Sequence, residues 1–269
     1  MLRRSRPVLL ASAAYLVLTT ALTWPLLLRL GSVVPNDLGD PLLNTWLLAW
    51  NARAMPLTER WWDAPQFFPA HGVMAFSEHL LGLTIITTPL IWITGNALVG
   101  YNVAFFLSFP LCALSAYLLA YTIARRHDAA FVTGLAFAFA PYRMAQFAHI
   151  QVMSPYWMPV ALAALHRYLD SRRVRWLVLF AAAWTMQALT CGYYLFYLSV
   201  LIGLWVLWFV VGRVSWIGLL RVVAAWAVGA VALAPVVYGY WTIQHAQGLR
   251  RDLTENIFHS SGKFGPLLD

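Results

Sequence analysis

The sequence predicts an all-α membrane protein of about seven transmembrane helices, with one large extracytoplasmic loop after the first of them. Three observations predict it. Of 269 residues, 61% are hydrophobic and only 10% charged, with a mean hydropathy of +0.68, against roughly 45–50% apolar and about 25% charged residues in soluble domains. Apolar stretches of about 20 residues recur, the length at which a helix satisfies its own backbone across hydrocarbon. The basic residues fall in short groups between those stretches, the pattern that sets membrane orientation. A water-soluble globule is excluded. The net charge of +8 does not indicate nucleic acid, whose recognition needs Lys and Arg gathered on one solvated face.

The first span is read over Val8–Leu28. Its apolar run, from Pro7, exceeds the roughly 7–15-residue core of a signal peptide and no A-x-A cleavage pattern follows, so it is expected to stay attached. Six further spans are expected at Leu98–Ala124, Ala129–Phe147, Ile150–Leu169, Trp176–Gly192, Tyr193–Val211 and Val222–Trp241. Residues 1–241 then form one membrane module, and residues 242–269 an extracytoplasmic tail that reads as the start of a further region.

One stretch decides the parity of everything after it. His79–Ile93 is apolar but short, and carries Thr84, Thr87, Thr88 and Pro89, in the length range of re-entrant or interfacial segments. If it does not cross, eleven of the eighteen basic residues lie on one side, from Arg3, Arg4 and Arg6 through the Arg125, Arg167–Arg175 and Arg213–Arg221 groups, giving that side a balance of +9 and the other −1. The positive-inside bias then puts the N-terminus on the cytoplasmic side and the first outer loop at residues 29–97.

Within that loop, Pro41–Ala54 reads as an interfacial helix with Leu43, Trp46, Leu47 and Trp50 on its apolar face and Asn44 and Asn51 elsewhere. Asp40 precedes Pro41 as an N-cap would. Trp61, Trp62, Phe67 and Phe68 suit a headgroup layer, and a half-buried helix is expected from His79. Cys112 and Cys191 sit in apolar runs without metal-ligand spacing and read as small core residues.

Three polar clusters fall at the outer face. Asp37 and Asp40 are carboxylates able to take a proton from an attacking hydroxyl; their structural reading is a solvated turn and a helix cap. Glu78 and His79 could polarise a hydroxyl or meet a phosphate; the structural reading is a first-turn cap with Ser77. Arg143, Gln146 and His149 recur at three-residue spacing, and arginine offers bidentate donors suited to phosphate; the structural reading is an arginine snorkelling to headgroups. No Walker A loop, dinucleotide turn, zincin helix or intramembrane carboxylate chain occurs.

The strings G-D-P-L-L-N-T-W-L-L-A-W at Gly39–Trp50, F-S-E-H-L-L-G at Phe76–Gly82 and the Phe137–Gln151 segment with its P-Y-R-M-A-Q-F-A-H-I-Q, in this topology, resemble the GT-C class of polytopic glycosyltransferases, which includes protein O-mannosyltransferases and aminoarabinose transferases. The resemblance implies a GT-C-like module that moves a sugar from a polyprenyl-phosphate donor to an acceptor of unspecified kind outside the membrane. Asp40 then matches the catalytic base, with Asp37 as its neighbour. Glu78, His79, Arg143, His149, Gln151 and Asn44 line the donor site, Arg143 meeting the phosphate. Some members use a divalent cation (Mg or Mn), for which only Asp37, Asp40 and Glu78 are at hand here. Two other readings are a non-catalytic protein that binds lipid-linked sugars or scaffolds an envelope complex, and a transporter or flippase, whose site belongs near mid-bilayer at broken helices.

Overall fold

The computed structural model describes residues 2–248. It is all-helical, and four of its helices are long and apolar enough to cross a membrane. These are α1 (Leu2–Thr23), α4 (Ala97–Ala124), α9 (Gly192–Trp205) with its continuing π-turn Val206–Val210, and α10 (Trp216–Ala246). The chain is a membrane protein.

Two of the other predicted spans form shorter helices than expected. Where the sequence suggests spans at Ala129–Phe147 and Ile150–Leu169, the structure forms α5 (His127–Ala138), a single-turn α6 (Pro141–Met144) and α7 (Trp157–Ser171). At 1.5 Å per residue, α5 rises only about 18 Å and α7 about 22 Å. Between them residues 139–156 form a shelf of successive turns. Pro141 has no N–H to continue α5, and Arg143 turns inward to bond other parts of the protein. α8 (Val174–Thr190) is likewise one or two turns short of a full span.

The Arg groups gather at one end of the bundle, where Arg125 pairs with Asp170 at 3.0 Å and the Arg172 guanidinium donates to the Arg213 carbonyl. The opposite end carries a cap made from residues 24–96. In it α2 (Asp40–Arg53) and α3 (Thr84–Thr94) frame three turns of 3-10 helix. Gly95, in the left-handed region, and Asn96, whose side chain caps the Leu98 N–H at 2.9 Å, turn α3 back against the first turns of α4. α3 is therefore a buttress on α4, about 16 Å long, rather than a crossing. Asn102 holds the Leu30 and Val33 carbonyls at 2.7 and 2.6 Å and fixes the start of the cap.

α2 presents the face opposite to the one predicted. Asn44, Thr45, Leu48, Asn51 and Ala52 are buried with Leu47, while Trp46 and Trp50 are half-buried. The reason is polar. The Asn51 amide donates to the His79 carbonyl at 2.7 Å and accepts from the Trp61 indole at 2.8 Å, while the Trp50 indole donates to the Trp61 carbonyl at 2.9 Å. Buried backbone groups in an irregular loop need such partners, and the two asparagines supply them.

α10 runs about 46 Å, more than the roughly 30 Å hydrocarbon layer. It passes the expected end at Trp241, and its last turns dock on the cap. The Tyr240 hydroxyl donates to the Ser77 carbonyl at 2.7 Å, Trp62 meets Tyr240 edge-on at 5.3 Å, and Gln247 donates to the His71 carbonyl. The first residues of the predicted tail, 242–246, are thus helix; residues 249–269, with Arg250, Arg251, Asp252, Glu255, Lys263 and Asp269, lie outside the described residues.

Candidate functional site

The cap and the bundle enclose a cavity of about 1080 Å³, above the roughly 300–1,000 Å³ of single-ligand pockets and large enough for two reactants. Six of the eight site residues proposed from sequence line it: Asp40, Asn44, Glu78, His79, His149 and Gln151. They come from three segments more than thirty residues apart in the chain, which the fold alone brings together.

Asp40 opens α2 rather than capping it; Gly39 is the cap, and Asp40 makes no capping bond. Its Oδ2 instead stands 2.9 Å from His149 Nε2. The other ring nitrogen of His149, Nδ1, is buried without a partner. With Nε2 donating to Asp40 and Nδ1 sealed from the cavity, the imidazole cannot pass a proton onward. It positions Asp40, whose carboxylate retains acceptor capacity. The Asn44 amide ties α2 to the shelf through the Ala148 carbonyl and Gln151 Oε1, both at 3.4 Å, which leaves the Gln151 amide nitrogen free to donate.

Ser77, Glu78 and His79 do not open a helix as predicted. They lie in extended chain between the turns Val73–Phe76 and Leu81–Leu83, and α3 begins only at Thr84. Gly82 explains how this strand reaches the bundle: a Cβ there would meet the Met186 carbonyl oxygen at 2.6 Å, so only glycine lets it lie against the end of α8. Glu78 then reaches the start of α9, where its Oε2 accepts from the Gly192 N–H at 3.1 Å and its Oε1 is 3.8 Å from the Cys191 thiol. Burial raises its pKa, against the lowering effect of those two contacts. His79 accepts from the Leu81 N–H through Nδ1 at 3.1 Å, so the neutral ring carries its proton on Nε2. Burial beside Trp61 and Tyr240 pushes its pKa down to about 4.

That shift has a sign that can be tested. An unfolded chain protonates His79 near 6.5 and the folded protein near 4, so acidification through this window stabilises the unfolded state first. Stability is expected to fall from pH 6.5 toward 4 with a slope of up to about 1.4 kcal/mol per pH unit from this group. Glu78 acts in the opposite direction, its raised pKa being a cost at neutral pH that acid relieves. Comparing thermal unfolding of the protein and of His79→Gln across pH 4.5–7 isolates the histidine: the parent loses stability relative to the variant on acidification, and parallel curves would contradict the assignment.

Two of the eight residues are placed elsewhere. Asp37 is exposed, and its carboxylate accepts from the Gly39 N–H at 2.8 Å and the Asn36 amide at 2.7 Å. It shapes the turn before α2 and does not line the cavity. Arg143 is buried at 4% exposure, neither lining the cavity nor snorkelling to headgroups. Its Nη2 donates to the Met153 carbonyl at 2.6 Å and the Ser108 hydroxyl at 3.3 Å, and its guanidinium lies 5.0 Å from the Phe109 ring centroid. It pins the shelf to α4 and so sets the height of His149, while Nε and Nη1 stay unpartnered.

Sequence reasoning missed the contribution of α10, whose Tyr240 and Gln244 line the cavity together with Leu233, Val236 and Val237. The available signal was length: a 31-residue helix outruns the bilayer and its last turns must meet something. Tyr194 also lines the cavity and donates to the Val152 carbonyl at 2.8 Å. The cavity is thus polar toward the cap, lined by Tyr193, Tyr194 and Tyr197 on the α9 side and apolar at Leu233, Val236 and Val237 of α10; α9 and α10 each pack on α8 and scarcely on one another. Among the described residues no three His, Cys, Asp or Glu side chains gather as metal ligands, and Asp40 is already engaged by His149. The residues present do not form a cage for the Mg or Mn considered above. No family model, curated protein or solved structure matches the chain.

Proposed function

We propose that the chain is a GT-C-type glycosyltransferase that moves a sugar from a polyprenyl-phosphate donor to an acceptor hydroxyl in this cavity. The observation that carries the reading is the convergence, on one amphipathic chamber, of a histidine-held carboxylate, a neutral histidine and amide donors, with an apolar wall between two helices that leave a gap. A lipid-linked substrate matches both halves. Its chain lies between α9 and α10 and its phosphosugar reaches Asp40.

In the reaction the acceptor oxygen attacks the anomeric carbon as Asp40 takes its proton. The bond from that carbon to the phosphate oxygen breaks, and its electron pair leaves on polyprenyl phosphate. A single displacement inverts the anomeric centre. The growing charge on the leaving phosphate is met by donors already in place, the His79 Nε2–H and the Gln151 amide, in surroundings from which the apolar wall excludes water. Arg143 holds the shelf beneath them.

In this reading α5 with the shelf that follows it, α7 and α8 complete a seven-pass arrangement, the Arg end faces the cytoplasm with the N-terminus, and the cap faces outward from a bacterial inner membrane. The test is to reconstitute the purified protein in bilayers with labelled polyprenyl-phosphate pentoses and hexoses. Release of polyprenyl phosphate with sugar passed to an added acceptor supports the proposal. Donor retention without release would make it a lipid-linked-sugar binding protein, and no retention of any donor would remove the reading.

A further inference from the structure

The cavity presents acids and no fixed cation. Asp40 and Glu78 line it as carboxylates, and among the described residues no lysine or arginine does. The two histidines do not make up the difference. His149 is engaged by Asp40 at 2.9 Å, and His79, with its pKa pushed down to about 4, is neutral. Arg143 is buried against Phe109 of α4 instead. A polyprenyl-phosphate donor adds a further negative charge. Like charges gathered in one partly desolvated chamber are costly, so the loaded cavity lacks a cation.

Glu78 is the group left to hold one, and the mechanism above does not use it. An ionised carboxylate accepts about four hydrogen bonds. The described residues give Glu78 one N–H, from Gly192 to Oε2 at 3.1 Å, and one weak donor, the Cys191 thiol 3.8 Å from Oε1. None of the ion pairs among the described residues includes it. Capping the start of α9 accounts for Oε2 and leaves Oε1 with acceptor capacity to spare. Burial raises the Glu78 pKa despite both contacts, as expected of a charge that its surroundings do not fully compensate. Either reactant could bring the missing cation, and the chemistry separates them. An ammonium on the transferred sugar would draw electrons from the anomeric carbon and oppose the positive charge that develops there as the phosphate leaves. On the acceptor it carries no such penalty. We infer that the acceptor bears, besides the hydroxyl that attacks, a protonated primary amine held by the Glu78 carboxylate. The acceptor's role rests on the sugar-transfer reading, while the amine site itself is measured without any donor.

The test uses two probes of nearly equal size, 2-aminoethyl and 2-hydroxyethyl β-D-glucoside, which differ in an ammonium against a hydroxyl. Isothermal titration into purified protein in detergent at neutral pH is expected to show the amine bound about tenfold more tightly, the fold-change of one charge-assisted hydrogen bond. Glu78→Gln, which keeps an oxygen for the Gly192 N–H, abolishes the preference. Equal affinities in the parent protein, or a preference that survives Glu78→Gln and is lost in Asp40→Asn, overturns the inference. Should the glutamine variant fail to fold, the parent comparison still decides. In bilayers with a labelled polyprenyl-phosphate hexose, sugar is expected to pass to the amine probe in preference. Transfer to both probes at equal rates would overturn the inference and keep the sugar-transfer reading. An amine preference in binding with no transfer to either probe would remove that reading and leave a cation site at Glu78. A preference for amino-sugar over hydroxy-sugar donors that Glu78→Gln abolishes would place the cation on the donor and overturn the inference.

Discussion

Asp40→Asn is expected to lower sugar transfer by about 10²–10⁴-fold, the range over which a positioned general base contributes, while leaving donor retention within about twofold. Asparagine keeps the size of the side chain and an oxygen for His149 Nε2, which lies 2.9 Å from the native carboxylate, so the α2 start and the shelf remain joined. What it removes is the capacity to accept the hydroxyl proton. His149→Gln is the companion variant: it deprives Asp40 of its positioning partner but leaves the carboxylate, and a smaller loss of rate is expected. The rate of polyprenyl phosphate release in bilayers reads both. Full activity in Asp40→Asn would remove this residue from the chemistry, and a larger loss in His149→Gln than in Asp40→Asn would shift the base to the imidazole.

The second large effect is on stability. Asn51→Leu keeps the branching and the number of side-chain heavy atoms, yet it orphans both the His79 carbonyl and the Trp61 indole N–H, which Asn51 holds at 2.7 and 2.8 Å in a fully buried setting. Each stranded buried group costs about 1–3 kcal/mol, so a loss of roughly 2–6 kcal/mol is expected. Because His79 is one of the released groups, the cap should loosen where it faces the cavity. Thermal unfolding in detergent measures the loss, and donor retention should fall with it.

The helical character of the chain and the place of its long loop after α1 could be read from hydropathy, because burial in hydrocarbon leaves a composition signal along each apolar run. The same signal misjudged α5 and α7. Residues 139–156 alternate apolar residues with Pro141, Arg143, Gln146, His149 and Gln151, and such interrupted apolar content does not distinguish the frayed end of a span from a shelf held by inward bonds. Asp40, Glu78, His79 and His149 stood out in the sequence because ionisable groups beside apolar runs are rare, and six of the eight candidates do line one chamber. Their partners did not stand out. That Asp40 would meet His149 instead of capping α2 depends on contacts across more than a hundred residues, and the inward turn of Asn51 follows from backbone groups whose needs arise only in the folded cap. The role of Arg143 was misread for the same reason, a guanidinium held through Nη2 by a carbonyl and a hydroxyl and lying over a ring having no sequence pattern of its own.

The disposition of the chamber relative to the membrane is tested most directly by thiol labelling from each side of sealed vesicles. The native thiols Cys112 and Cys191 are buried and give little background. Cysteines placed at Ser77 beside the cavity and at Thr94 at the end of α3 should both react with a membrane-impermeant reagent from one side, and a cysteine at Ser171, at the Arg end, only from the other. Labelling of Ser77→Cys and Thr94→Cys from opposite sides would mean that α3 crosses the bilayer, and the account of a single outward-facing chamber would be wrong.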